Sequence, residues 1–142
     1  MAAPTRPTHP ETRQIGRREC LRLLDRAPWG RLAVITGDRP QIFPVNHVVE
    51  AGSILIRTGS GTKLSAAADK IVAFQVDGFA AADRRAWSVQ VTGHAVEVDN
   101  VREILGLMPD LAQPWEAGVK PHVLRIEIDE VTGVSFPVQL RD

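Results

Sequence analysis

Trp87-Ser88-Val89-Gln90-Val91-Thr92-Gly93-His94-Ala95 is the stretch from which the fold can be read. Trp87, Val89 and Val91 alternate with Ser88, Gln90 and Thr92, and a period of two marks a strand with one buried and one wet face. The alternation predicts a strand over 87–98, with a bulge or a close backbone approach at Gly93. Further runs flank it. Arg31–Thr36, Ser53–Thr58 and Lys70–Val76 read as short strands. Gln41–Glu50 reads as another, demoted by Pro44 to an edge or bulged strand. Val123–Val131 alternates cleanly, with Leu124, Ile126 and Ile128 on one side and Arg125, Glu127 and Asp129 on the other. Gly37-Asp38, Ala51-Gly52 and the 78–85 linker supply turns. Six β-runs with short turns and no βαβ alternation predict a mainly β (α+β) domain. Its antiparallel sheet would close into a small barrel, with helices at the periphery.

The helices are fewer. Residues 11–27 carry an apolar stripe through Cys20, Leu21, Leu23 and Leu24, ended by Pro28, which cannot continue a helix. Thr62–Ala68 and Asn100–Met108 read as two more short helices, and Pro109, Pro114 and Pro121 punctuate an irregular stretch that holds Trp115. Residues 1–12 are rich in Pro and Thr without periodicity, so the sequence divides into a flexible tail over 1–12 and one domain over 13–142.

Composition narrows the functional classes. Of 142 residues, 44% are hydrophobic and 24% charged, which is globular rather than disordered. Seventeen basic residues balance seventeen acidic ones, so no bulk attraction to nucleic acid or to an anionic membrane is expected. No run reaches the roughly 18–20 apolar residues of a membrane span. The first ten residues lack the apolar region of a secretory signal. A lone cysteine, Cys20, suits a reducing compartment. A soluble, cytoplasmic protein is the expectation.

Chemistry concentrates in Arg57-Thr58-Gly59-Ser60-Gly61-Thr62-Lys63. A strand ends, a flexible loop follows and a helix opens, bringing two cations, three hydroxyls and free N–H groups to one place. A phosphate monoester matches this set. The same stretch also reads as a solvated hairpin exit capped by Thr62. No Gly-Lys-Ser/Thr ends the loop, so a Walker-type triphosphatase is excluded. Phe43-Pro44-Val45-Asn46-His47 sets two polar residues and a proline into an apolar strand, as a platform for a flat heteroaromatic ligand or as a bulged edge. Trp87 could stack on a ligand or fill the barrel. His9, His47, His94 and His122 have no metal-ligand spacing, and no Gly-x-Ser-x-Gly elbow is present. Chemistry here would fall to a bound cofactor.

Taken in order, Gly30-Arg31-Leu32, Phe43-Pro44-Val45-Asn46, Arg57-Thr58 with Gly61-Thr62-Lys63-Leu64, Phe74-Gln75-Val76-Asp77 and Trp87 through Ala95 resemble the pyridoxamine 5′-phosphate oxidase-like proteins. The similarity is greatest to an actinobacterial branch near the nitroimidazole reductases. The resemblance spans about Glu19 to Gly133. It implies a six-stranded antiparallel Greek-key split β-barrel and a homodimer with two FMN sites at its interface. By position, Pro44, Val45, Asn46 and His47 would lie along the isoalloxazine ring, and Arg57, Thr58, Thr62 and Lys63 would hold the phosphate. Trp87 and Ser88 would reach the flavin edge from the partner subunit. The implied activity is hydride or electron transfer to a small-molecule substrate, with no side chain marked as a catalytic acid or base. The Arg- and His-bearing C-terminal segment of the true oxidases has no match before Asp142, so vitamin B6 oxidase activity is not expected. Related groups use a deazaflavin coenzyme or haem in place of FMN, and a non-catalytic flavin- or haem-binding protein is the other alternative.

Overall fold

A computed structural model describes residues 12–59, 61–99, 122–139 and 141. In chain order the elements are β1 (Arg13–Gln14), α1 (Arg17–Arg26), β2 (Gly30–Thr36), β3 (Arg39–Val45), β4 (Val48–Glu50), β5 (Ser53–Thr58), α2 (Thr62–Ala67), β6 (Lys70–Ala80), β7 (Arg85–Val98) and β8 (His122–Pro137). All pairings are antiparallel, and the ladder runs β3-β2-β6-β7-β8-β5-β4, with β1 added to the far edge of β8. The mainly β split-barrel architecture expected from the sequence is present, with eight strands where six were expected.

The differences have local causes. The first helix begins at Arg17 rather than near Glu11, because Ile15 N–H donates to the Gly133 carbonyl at 2.9 Å and holds the preceding residues as a strand on β8. Strand β6 runs on through Gly78 to Ala80, so the hairpin expected over 78–85 shrinks to four residues, with Arg84 at positive φ. The 41–50 run is broken after Val45 into β3 and β4. The expected helix over 100–108 and the Pro114-Trp115 pair lie outside the described residues, as does the 1–11 part of the expected tail.

The break after Val45 decides how the barrel closes. Strands β3 and β4 stand at opposite ends of the ladder, yet only Asn46 and His47 separate them in sequence. The three Cα steps from Val45 to Val48 span roughly 10 Å at most, so the sheet must curl until its ends meet. The barrel is therefore closed by the chain and not by a ring of hydrogen bonds, a correction to the closed sheet expected above.

Alternate residues of each strand fill the interior. Leu32, Phe74, Val89, Ile54, Ile56 and Ile126 are fully buried there, with Cys20 and Leu24 of α1 and Ala66 and Ala67 of α2 plugging the ends. At about 25 cal/mol per Å² of apolar surface, this cluster is the main source of stability. Gly93 lies at a register shift between β7 and β8, and a Cβ there would meet the Glu127 carbonyl oxygen at 2.2 Å, so the bulge and the close approach coincide. Gly133 gives α1 its seat, since a Cβ would come within 2.6 Å of the Cys20 sulfur. Burial pushes the Cys20 thiol up from its ordinary pKa, as expected of an inert core sulfur. No helix among the described residues is long and apolar enough to cross a membrane.

Candidate functional site

The edge strand β3 pairs with β2 on one side only, so part of its backbone stays available to a ligand. Pro44 is exposed and Val45 buried; Asn46 is exposed and His47 only 9% exposed. Pro44 and Asn46 thus offer side chains outward, while Val45 and His47 offer only backbone. The His47 imidazole turns inward, where Nε2–H donates to the Leu24 carbonyl at 2.9 Å and the ring meets Phe74 edge-on at 4.8 Å. The carbonyl can only accept, which fixes the proton on Nε2 and leaves Nδ1 as a buried acceptor with no partner among the described residues. Desolvation holds this imidazole below its ordinary pKa of 6.5, and the bond to Leu24 offsets that only in part.

Strand β5 pairs Leu55 with Val48 of β4 and, on its other side, Arg57 with Val123 of β8. Arg57 shares a face with Leu55, which packs with Val98 and Val123 in a small separate cluster. Arg57 is half-buried, and its Nε is buried without a hydrogen-bond partner among the described residues. An unsatisfied buried N–H carries a desolvation cost of about 1–3 kcal/mol, which an incoming anion would relieve. Thr58 points to the other face and is buried, and its hydroxyl donates to the Gly59 carbonyl at 3.0 Å. Thr62 and Lys63 form the first turn of α2, immediately after Gly61 at φ 136; their side chains, and Ser60, lie outside the described part of the structure.

Trp87 and Ser88 are half-buried on β7. The indole crosses Gly78, its cross-strand partner, so closely that an added Cβ would lie 2.6 Å from a ring carbon. Ser88 accepts a hydrogen bond from the Gln75 amide at 3.0 Å. Gln75 belongs to a network that sequence reasoning missed. Arg31 donates to Gln75 at 3.1 Å and to Asp77 at 3.2 Å, and its guanidinium lies 4.8 Å from the centre of the Trp29 ring. Alternating charges in a strand ordinarily signal solvent, so only the recurrence of Arg31, Gln75 and Asp77 on paired strands could have revealed it.

Arg31 sits directly across from Pro44, which joins this network to the outer face of β3. The face continues as an apolar strip. Ile42 stands opposite Ala33, Ala33 opposite Ala73, and Ile35 and Ile71 lie two residues further along the same side. Ile35, Ile42 and Ile71 are 63%, 65% and 64% exposed. Three large aliphatics uncovered side by side mark a surface built for contact.

Three adjacent strand spacings separate Pro44 on β3 from Trp87 and Ser88 on β7, about 14 Å across the sheet. Within one protomer Pro44 thus lies three strands from Trp87 and Ser88, while Arg57 stands on β5 toward the other end of the ladder. Among the described residues no cluster of three or more His, Cys, Asp or Glu side chains could hold a metal ion.

The comparisons with known proteins agree with this architecture. The family model described as pyridoxamine 5′-phosphate oxidase matches residues 16–135. An uncharacterized protein of Mycobacterium tuberculosis is 34% identical over 137 residues, covering 92% of this chain and 90% of that one. The solved structure of an FAD binding protein from Mycobacterium smegmatis superposes with a TM-score of 0.74 at 31% identity, covering 87% of this chain and 97% of its own. An FAD-binding protein from Mesorhizobium loti gives a TM-score of 0.71 at 25% identity, with the same coverage.

Proposed function

The chain belongs to the pyridoxamine 5′-phosphate oxidase family, and from that premise we propose that it is a cytoplasmic, homodimeric flavin-binding oxidoreductase. Its FMN would sit at the subunit interface. The observation that carries this reading is the buried Nε of Arg57, near the end of β5, which has no hydrogen-bond partner among the described residues. A phosphate completes that guanidinium, and Lys63 at the start of α2 adds a second cation, at about 1.5–3 kcal/mol per charge-assisted bond. Thr62 adds a hydroxyl donor. Thr58 joins only if its hydroxyl releases Gly59. Pro44 and Asn46 face the ring, while Val45 and His47 contribute backbone groups of an edge strand.

Bound there, the flavin would supply hydride or electron exchange with a small molecule over its exposed face. The protein's part is to hold the phosphate, orient the ring and exclude water with the second subunit. The apolar strip of Ile35, Ile42 and Ile71 runs on from the ring-bearing strand, so a second copy seated on it would bring its own Trp87 and Ser88 to the flavin. The 14 Å separation within one protomer supports that two-subunit site.

The names of the neighbours favour one further reading, that the bound flavin is the dinucleotide FAD. Titration of the purified chain with FMN, FAD and a deazaflavin coenzyme, followed by absorbance and calorimetry, separates the three. Arg57→Gln and Lys63→Ala should each weaken the preferred cofactor about tenfold or more. Full affinity retained in both variants would overturn the phosphate seat. Reduction of the bound flavin by a chemical donor, followed by its reoxidation by small acceptors, tests turnover against mere carriage.

A further inference from the structure

A second opening adjoins the same network and is used by nothing above. Pro28 stops α1, and the last helical turn faces the β6–β7 hairpin across an open cavity of about 220 Å³. Its walls are Leu23, Ala27 and Pro28 on the helix side and Trp87 on the sheet side, with Arg26 and Asp77 as the polar groups. The indole lies over Gly78, where an added Cβ would come within 2.6 Å of it, so β6 backs one side of the aromatic wall.

The two charged groups at this opening are not paired with each other. Asp77 already accepts from Arg31 at 3.2 Å and from the Gln75 amide at 3.2 Å. Glu19, further back on α1, is bonded by Arg22 and feels the charge of Arg26 only through space. Arg26 is exposed and makes no hydrogen bond or ion pair with any of the described residues. An apolar, aromatic-walled cleft whose guanidinium is in no direct hydrogen bond or ion pair selects a flat apolar body carrying an anionic group. The volume lies below the range of roughly 300–1,000 Å³ that serves larger ligands, which suits a single ring better than a tricyclic one.

We propose that this cleft binds a monocyclic aromatic anion, its ring against Trp87 and its carboxylate on Arg26, and that it is the substrate subsite. The substrate role rests on the flavin reading above; the binding itself does not. Asp77 and Ser88 are cross-strand partners, so the cleft borders the edge that Trp87 and Ser88 would present to the cofactor.

The test is calorimetric titration of the full chain with benzoate and with benzamide, its neutral counterpart, with and without saturating FMN. Benzoate should bind about tenfold or more tightly than benzamide, the difference one charge-assisted bond makes. Arg26→Gln should erase that preference, and Trp87→Leu should weaken both ligands. FMN should leave benzoate binding in place. Absence of saturable benzoate binding, an unchanged preference in Arg26→Gln, or displacement of benzoate by FMN would each overturn the proposal. A chain that takes benzoate but no flavin would overturn the substrate role together with the flavin reading, and leave the cleft as a binding site.

Discussion

His47 Nε2–H donates to the carbonyl of Leu24 at 2.9 Å, tying the two-residue link between the sheet ends to the buried side of α1. Helix and seam are thus pinned by one neutral imidazole. Its folded pKa lies below 6.5, so the unfolded chain binds the proton more readily. Stability is then complete above about pH 6.5 and falls as acid carries the protein toward the lower folded value. Chemical denaturation of the wild type and of His47→Gln across that window should show the loss in the former and a flatter profile in the latter. His47→Ala should cost about 3 kcal/mol at neutral pH, from a cavity beside Phe74 and the lost bond.

Gly93→Ala sets a methyl group against the Glu127 carbonyl oxygen, and backbone cannot step aside as a side chain can. A loss of about 3 kcal/mol or more is expected in urea denaturation. Gly78→Ala meets the Trp87 indole instead, and the ring can swing outward. Its cost should be nearer 1–2 kcal/mol, with a shift in tryptophan emission that Gly93→Ala lacks.

Arg57 separates stability from binding. Its Nε is buried and unsatisfied, so Arg57→Leu should leave the cofactor-free protein as stable as the wild type, or up to about 1 kcal/mol more so. The same variant should lose FMN affinity. Paired melts with and without FMN would show both effects, and an unstable cofactor-free variant would argue for a structural role.

Ile42→Asp and Ile71→Lys place charges on the exposed strip without touching the core. Sedimentation should find the wild type dimeric and each variant shifted to monomer, because a stable interface needs about 1,200–2,000 Å² of well-packed surface. A wild type already monomeric at micromolar concentration would remove the two-subunit site.

Much of the barrel was legible because alternation survives wherever one face of a strand is buried and the other wet, as from Trp87 to Val98. What escaped had no such contrast. Arg13 and Gln14 are both exposed and polar, so nothing in them announces a strand. Gly78 looked like the start of a turn, yet it is a strand residue kept small by the indole across from it. Asn46 and His47 are adjacent polar residues, and once the strand breaks between Val45 and Val48, parity no longer says which of them turns inward. The anion constellation at Arg57 was visible as composition; that its Nε lacks a partner is a fact of packing that no spacing encodes.

The seam at Asn46–His47 also sets where the molecule yields first. Amides of β3 and β4 stand at ladder ends with partners on one side only, whereas β7 is flanked from Arg85 to Ala95 by both β6 and β8. Deuterium should therefore enter the outer strands through small local openings, while β7 exchanges only when the whole domain unfolds. The barrel is thus hinged rather than hooped: it can part along one line without coming undone.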